Sequence, residues 1–245
     1  KAFHYTRSGK DPLSRFDVIS VKAAYITRAF ARRVRRAGCR LALWEWMGAK
    51  DREQAKVWAK RQGKLCNKYK ASHFFVNAES EWAGTGRFTR AHATPYDVLR
   101  RVVQTLRIYA PSTTEMVYNG YSWARTGRST GRRQLHDADL INLFDVWCPQ
   151  CHGEQRKVAD RFGKVVKYVS PTLQNWAMIG VGRIDRDGRQ WGEWNGTYGY
   201  AKLLDKYALD GVCFYFGNGA HARLLGSTSA YPPLVECATI ANYMD

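Results

Sequence analysis

The feature that most constrains this chain is a regular alternation. Short apolar, β-branched runs are separated by longer amphipathic stretches. Residues 17–22 (Asp-Val-Ile-Ser-Val-Lys) read as a strand. Residues 26–37 then read as a helix, with Ile26, Phe30 and Val34 recurring every four positions and Gly38 positioned to end it. Strands are predicted at 40–46, 73–82, 115–121, 145–148, 165–170 and 211–216, with a short one at 2–6. Helices are predicted at 51–69, 95–109, 137–144, 154–162, 198–207 and 233–243. Asp51 and Glu53 suit the positive end of the second helix, and Thr94-Pro95 opens the third as cap and first-turn proline.

Strict β-α alternation requires a parallel sheet covered by helices. Runs such as Val18-Ile-Ser-Val21 and Val212-Cys-Phe-Tyr-Phe216 are nearly continuous in apolar residues, as strands buried on both faces must be. About eight strands and seven helices in 245 residues predict an α/β fold of the single (β/α)8 TIM-barrel kind, spanning 1–245 as one domain. The competing open doubly wound sheet is disfavoured because no glycine-rich phosphate loop follows any strand. No apolar run reaches the roughly 18 residues of a membrane span. Lys1 is not an initiator Met, so the chain reads as a processed or trimmed product.

In a barrel, chemistry gathers where strands end and the following loops begin. Those ends read Trp44-Glu45-Trp46, then Asn77 through Trp82, then Tyr118-Asn119-Gly120-Tyr121-Ser122-Trp123. The later ones read Trp147 through His152, Ser170 through Trp176, and Tyr215 through Gly219. Rings suit the apolar faces of sugars and amides suit their hydroxyls. A saccharide groove is therefore predicted, lined by Glu45, Trp46, Tyr118, Tyr121, Trp123, Gln174, Trp176 and Asn218. Strand alternation puts Asn77, Glu79 and Glu81 on one face, neighbouring members roughly 6.5–7 Å apart. Glycoside hydrolysis needs a carboxylic acid at the leaving oxygen, and crowding two acids raises one pKa. Glu79 is the predicted acid, with Glu81 and Asn77 assisting.

The same residues carry a family resemblance. Residues 16–82 resemble the first half of glycoside hydrolase family 25, the muramidase barrels. The strand 17–22 with Ala23, a helix and Ala37-Gly38, an aromatic strand end, and a helix holding Glu53-Gln54-Ala55 follow in that family's order. The next strand closes at Asn77-Ala78-Glu79, where the family has D-x-E. The resemblance implies that Glu79 is the general acid and that the substrate is peptidoglycan. Asn77 stands where the family has Asp, residues 2–6 lack the family's first-strand Asp, and the last strand ends in Gly217-Asn218-Gly219. The second carboxyl role therefore has no evident holder. N77-x-E79-x-E81 also resembles, with two substitutions, the D-x-D-x-E of family 18 barrels, which would move the acid role to Glu81.

Lys and Arg number 39 against 21 Asp and Glu, a net charge of +18. Such a chain expects an anionic partner: the polysaccharide of an anionic cell envelope, or nucleic acid. The basic loop 125–133 and the group Lys60, Arg61, Lys64, Lys68 and Lys70 supply that surface. No RNA-recognition, helix-turn-helix or zinc-finger signature accompanies them. Cys148-Pro-Gln-Cys151-His152 matches the form of a haem-attachment motif and offers three zinc ligands, but no further ligand pair lies nearby, so no metal and no cofactor is predicted. The expected role is a secreted or virion-associated wall lysin. The alternatives are a barrel without catalysis that binds carbohydrate or serves as a structural part of a virion or secretion assembly, or a nucleic-acid-binding protein that uses the basic surface.

Overall fold

The computed structural model describes residues 17–49, 51–78, 95–120, 141–150, 172–181, 183–184, 190–191 and 209–216. Seven parallel strands form one sheet: β1 (Val18–Lys22), β2 (Arg40–Trp46), β3 (His73–Ala78), β4 (Glu115–Gly120), β5 (Val146–Trp147), β6 (Gln174–Val181) and, after a short antiparallel pair β7 (Arg183–Ile184) and β8 (Gln190–Trp191), β9 (Gly211–Phe216). Their order in the sheet is their order in the chain, and each neighbouring pair is parallel. A doubly wound sheet must reverse its strand order at a switch point. No reversal occurs among the described strands, so the sheet is the wall of a (β/α)8-barrel-like domain.

The helices are α1 (Arg28–Arg36), α2 (Arg52–Tyr69) and α3 (Pro95–Tyr109). Their starts follow local chemistry. Thr27 Oγ1 accepts from Phe30 N at 3.1 Å, and Asp51 Oδ1 accepts from Gln54 N at 2.8 Å, each satisfying an orphan first-turn donor. Gly38, at φ 79°, takes the left-handed position past α1 that a glycine adopts without penalty.

Alternation along the strands separates two layers. Ile19, Val21, Leu41, Leu43, Phe74, Val76, Met116, Tyr118 and Trp147 face the helices, against Ala31 and Val34 of α1, Ala55, Ala59 and Cys66 of α2, and Val98, Leu99, Val102 and Leu106 of α3. Val18, Ala42, Trp44, Phe75, Val117, Val146, Cys148, Trp176, Met178 and Cys213 fill the inner face. All six residues of β3 are buried.

Three expectations change. The sheet position between β5 and β9 belongs to β6, Gln174–Val181, not to residues 165–170, which lie outside the described residues. Gln174 and Asn175 pair with β5, and the run Trp176-Ala-Met-Ile-Gly-Val181 pairs with β9, so β6 joins the two. The helix expected to reach Phe144 ends at Ile141 and gives way to a turn, with Phe144 N donating to Ile141 O at 3.1 Å. The β7–β8 pair was not anticipated, although the Asp187-Gly188 dipeptide between the two strands is a hairpin signal. The strand expected at 2–6 and the helices expected at 154–162, 198–207 and 233–243 lie outside the described residues.

Phe74 is fully buried between β3 and α2, its ring edge-on to Trp58 at 5.8 Å. Phe74→Ala should cost about 3–5 kcal/mol. Urea denaturation followed by tryptophan fluorescence should show the midpoint falling with an unchanged slope.

Candidate functional site

The carboxyl half of the inner face carries a cluster of side-chain amides. Asn77 is fifth in β3, Asn119 fifth in β4, and Gln150 follows β5; all three are buried. Gln150 Nε2 donates to Asn77 Oδ1 at 2.9 Å and to Asn119 Oδ1 at 3.3 Å. Asn119 Nδ2 donates to Cys148 O at 2.6 Å and lies 3.6 Å from Met178 Sδ. The backbone holds Gln150 in place through Gln150 N to Gly120 O at 2.7 Å and a bridge to Met178. Buried amides without partners would destabilise the barrel, but cross-bonded they form a rigid floor of fixed dipoles carrying no charge.

Trp46 stands at the rim of this floor. It ends β2 on the inner-face register of Ala42 and Trp44, and it is 37% exposed. Its ring lies against Gly48, where any Cβ would run into it. Met47 N donates to Asn77 O at 2.8 Å, pinning the chain between Trp46 and Gly48 to the end of β3. An exposed tryptophan is thus held beside the amides by backbone geometry.

Lys22, the last residue of β1, has its Nζ 5.4 Å from the centroid of the Trp44 ring and 5.8 Å from that of Tyr25. Glu45 Oε1 is 3.6 Å from Lys22 Nζ, and Glu45 Oε2 accepts from Ala24 N at 3.2 Å. Glu45 therefore anchors the turn Ala23–Tyr25 that follows β1. It was predicted as a groove residue; its carboxylate is engaged with its own chain. Among the described residues, the inner face at the carboxyl end holds no carboxylate.

Three predicted groove residues fall elsewhere. Tyr118 faces the helices, buried against Phe144 with ring centroids 5.2 Å apart, because its position in β4 has the outward parity of Met116. Burial pushes its phenol well above the ordinary range. Gln174 and Trp176 lie at the opposite end of the barrel. Gln174 is the first residue of β6 and its Nε2 donates to Glu115 Oε1, at the start of β4, at 3.2 Å. Trp176 packs its ring 5.2 Å from that of His73, the first residue of β3, and 6.4 Å from that of Phe75. Both had been placed after a strand; they open one. Glu79, Glu81, Tyr121, Trp123 and Asn218 lie outside the described residues, as do Cys151 and His152. Cys148 is buried on the inner face, and among the described residues no group of three His, Cys, Asp or Glu side chains could hold a metal ion.

Sequence reading missed Asn119 and Gln150 as site residues. The signal was present for Asn119, which sits in the strand on the inward parity of Val117. Gln150 had none, since its inward aim depends on the backbone bridge to Met178.

The amino end has its own polar group. His73 is buried; Nδ1 is 2.8 Å from Ser72 Oγ and Nε2 is 2.7 Å from Glu115 Oε2. Burial lowers the imidazole pKa to about 4, and Arg40 adds to the shift. The Glu115 carboxylate favours the charged ring, but at 36% side-chain exposure its field is screened by water.

No protein-family profile and no curated protein matches the sequence. Solved structures do. A GH18 chitinase from Pseudoalteromonas aurantia is similar at TM-score 0.64 and 12% identity, over 98% of both chains. An endo-β-N-acetylglucosaminidase from Cordyceps militaris is similar at TM-score 0.61 and 10% identity, over 96% of this chain and 83% of that one. A form of the Cordyceps enzyme with an Asp and a Glu two residues apart replaced by Asn and Gln has been captured with fucosyl-N-acetylglucosamine-Asn. A sugar phosphate isomerase/epimerase from Parabacteroides distasonis is similar at TM-score 0.54 and 9% identity, over 96% and 86%. At these identities the likeness establishes the barrel fold, and glycoside hydrolases are prominent among the chains that share it.

His73 makes stability depend on pH. The ring is neutral in the folded protein down to about pH 4, whereas in the unfolded chain it protonates near 6.5. Its contribution is complete above about pH 6.5 and is lost as pH falls toward 4. Between pH 8 and pH 5 it should remove about 2 kcal/mol. Urea titrations of the wild type and His73→Gln at both pH values check this: the variant should lose that much less stability on acidification.

Proposed function

We propose that this barrel is a glycoside hydrolase acting on a polysaccharide of amino sugars, most specifically the peptidoglycan of a cell wall, as a secreted or virion-associated lysin. The observation that carries the reading is the buried Asn77–Gln150–Asn119 floor beside the exposed, pinned Trp46 at the carboxyl end of the strands. There a sugar ring finds an aromatic face and fixed dipoles within reach of the chain that leads to Glu79. The spacing of Asn77, Glu79 and Glu81 supports it further. In the Cordyceps enzyme an Asp and a Glu at the same two-residue separation were the positions substituted to capture a sugar.

In this reading Glu79 protonates the leaving glycosidic oxygen. Asn77 cannot ionise, so it holds no negative charge against Glu79 and serves as a hydrogen-bonding partner. Glu81 is the nearest acid in sequence, and its like charge keeps Glu79 protonated toward neutral pH. Trp46 supplies a stacking face, with Tyr121, Trp123 and Asn218 extending the groove. Among the described residues no helix is long and apolar enough to cross a membrane.

The test is release of reducing sugar from purified peptidoglycan, chitin oligosaccharides and mannan. Glu79→Gln should lower kcat/KM on the preferred glycan by roughly 10²–10⁴-fold, the usual contribution of a general acid. A wild-type rate equal to that of Glu79→Gln discards the catalytic role, and a loss confined to Glu81→Gln moves it to Glu81. Wall binding without any release would establish instead a barrel that binds carbohydrate and has lost its chemistry.

The role of the rim is separable. Trp46→Ala should raise KM about tenfold with a smaller change in kcat, because stacking holds substrate and transition state alike. Gly48→Ala, which forces the ring aside, should have the same effect, and both are read from initial rates over a range of glycan concentrations.

A further inference from the structure

The outer wall carries a feature the catalytic reading leaves unused. α2 packs along α3, but α1 and α2 barely touch, and a groove of about 590 Å³ opens beside α2 under the turn that follows β1. Its apolar lining is aliphatic: Ala24, Ile26, Val57 and Leu65. Its wall is cationic: Lys60, Arg61, Lys64 and Lys68, all exposed. Among the described residues none of these four is paired with a carboxylate. Lys60 Nζ lies 5.3 Å from the centroid of the Tyr109 ring and Lys68 Nζ 5.2 Å from that of Tyr69, contacts that position the ammonium groups without neutralising them.

Lys60, Lys64 and Lys68 follow one another at four-residue intervals, so like charges stack one turn apart, about 6 Å along the helix. Like charges in that arrangement repel one another and destabilise the helix that carries them. A row of unneutralised cations and a set of aliphatic side chains lining one groove suit a linear polyanion whose carbon skeleton meets the apolar side chains while its charges meet the lysines. Among the described residues that line the groove the apolar side chains are aliphatic, whereas single-stranded nucleic acids stack their bases on flat rings. An aliphatic lining matches a polymer without bases.

We propose that this groove is a docking site for an anionic wall glycopolymer of the polyol-phosphate type, separate from the carboxyl-end site, which holds the protein on its substrate surface. This rests on the wall-directed reading given above but not on the role of Glu79. Turnover of a soluble neutral oligosaccharide reports on one site and polymer binding on the other.

The experiment compares the full chain with the variant Lys60→Gln, Arg61→Gln, Lys64→Gln, Lys68→Gln. The probes are poly(glycerol phosphate), walls before and after chemical removal of phosphodiester polymers, and single-stranded DNA. Wild-type affinity for poly(glycerol phosphate) should fall with salt with a log–log slope of about −3, as expected for four phosphate contacts. The variant should bind at least tenfold more weakly with a nearly flat slope. Its melting temperature should be no lower than that of the wild type, because repulsion has been removed. Should the quadruple variant fail to fold, Lys64→Gln alone is measured and should still weaken binding severalfold. Equal binding by variant and wild type, equal binding to stripped and intact walls, or tighter binding of the DNA than of the polymer each overturns the proposal.

Discussion

The structure depends on β3. It is bonded to β2 along one edge and β4 along the other, and all six of its residues are buried. With both edges paired, every side chain must be satisfied within the protein. Phe74 and Val76 meet this condition by packing on the helices, and Phe75 by filling the interior. His73 and Asn77 meet it by entering polar groups at opposite ends of the same strand. The two ends of the barrel are thereby joined through six residues, and the register of β3 sets the height of both.

Those ends differ in kind. At the amino end His73, Glu115, Gln174 and Trp176 close the barrel with a ring, a carboxylate and an amide locked together. At the carboxyl end the interior is closed by neutral amides that leave an exposed tryptophan at the rim. A charged group buried there would need a partner, and without one burial would shift its pKa toward the neutral form. Amides avoid that cost and leave any acid supplied from the loops free of a fixed neighbouring charge on the strand. The surface follows the opposite logic. The basic row on α2 remains unneutralised among the described residues, so the polar groups of the interior and this surface charge occupy separate parts of the fold.

Much of this was legible in the sequence. Strand and helix periods, the Thr27 and Asp51 caps and the Gly38 stop follow from local chemistry acting over a few residues. The barrel itself follows from alternation and from the want of a phosphate loop. Individual sites were less legible. Tyr118 read as a groove residue because it stands near a strand end, but parity, set by the register of β4 against β3, turns it to the helices. Gln174 and Trp176 read as residues following a strand at 165–170, and only the pairing of β6 with both β5 and β9 shows that they belong to the strand itself. Glu45 read as a ligand for substrate, but the folding back of the turn Ala23–Tyr25 gives it Lys22 and Ala24 N.

The sequence by itself determined the element types, the parallel architecture, the positive charge and the acidic stretch that follows β3. These depend on periodicity and composition, which one linear string carries in full. The tertiary structure alone decided which end of the barrel each polar residue serves and which face of its strand it occupies. Partners such as Gln150 with Asn77, or Trp176 with His73, are 73 and 103 positions apart in the chain. A period of two fixes the alternation of faces but not which face lies inside, and only contact between distant strands and helices makes that choice.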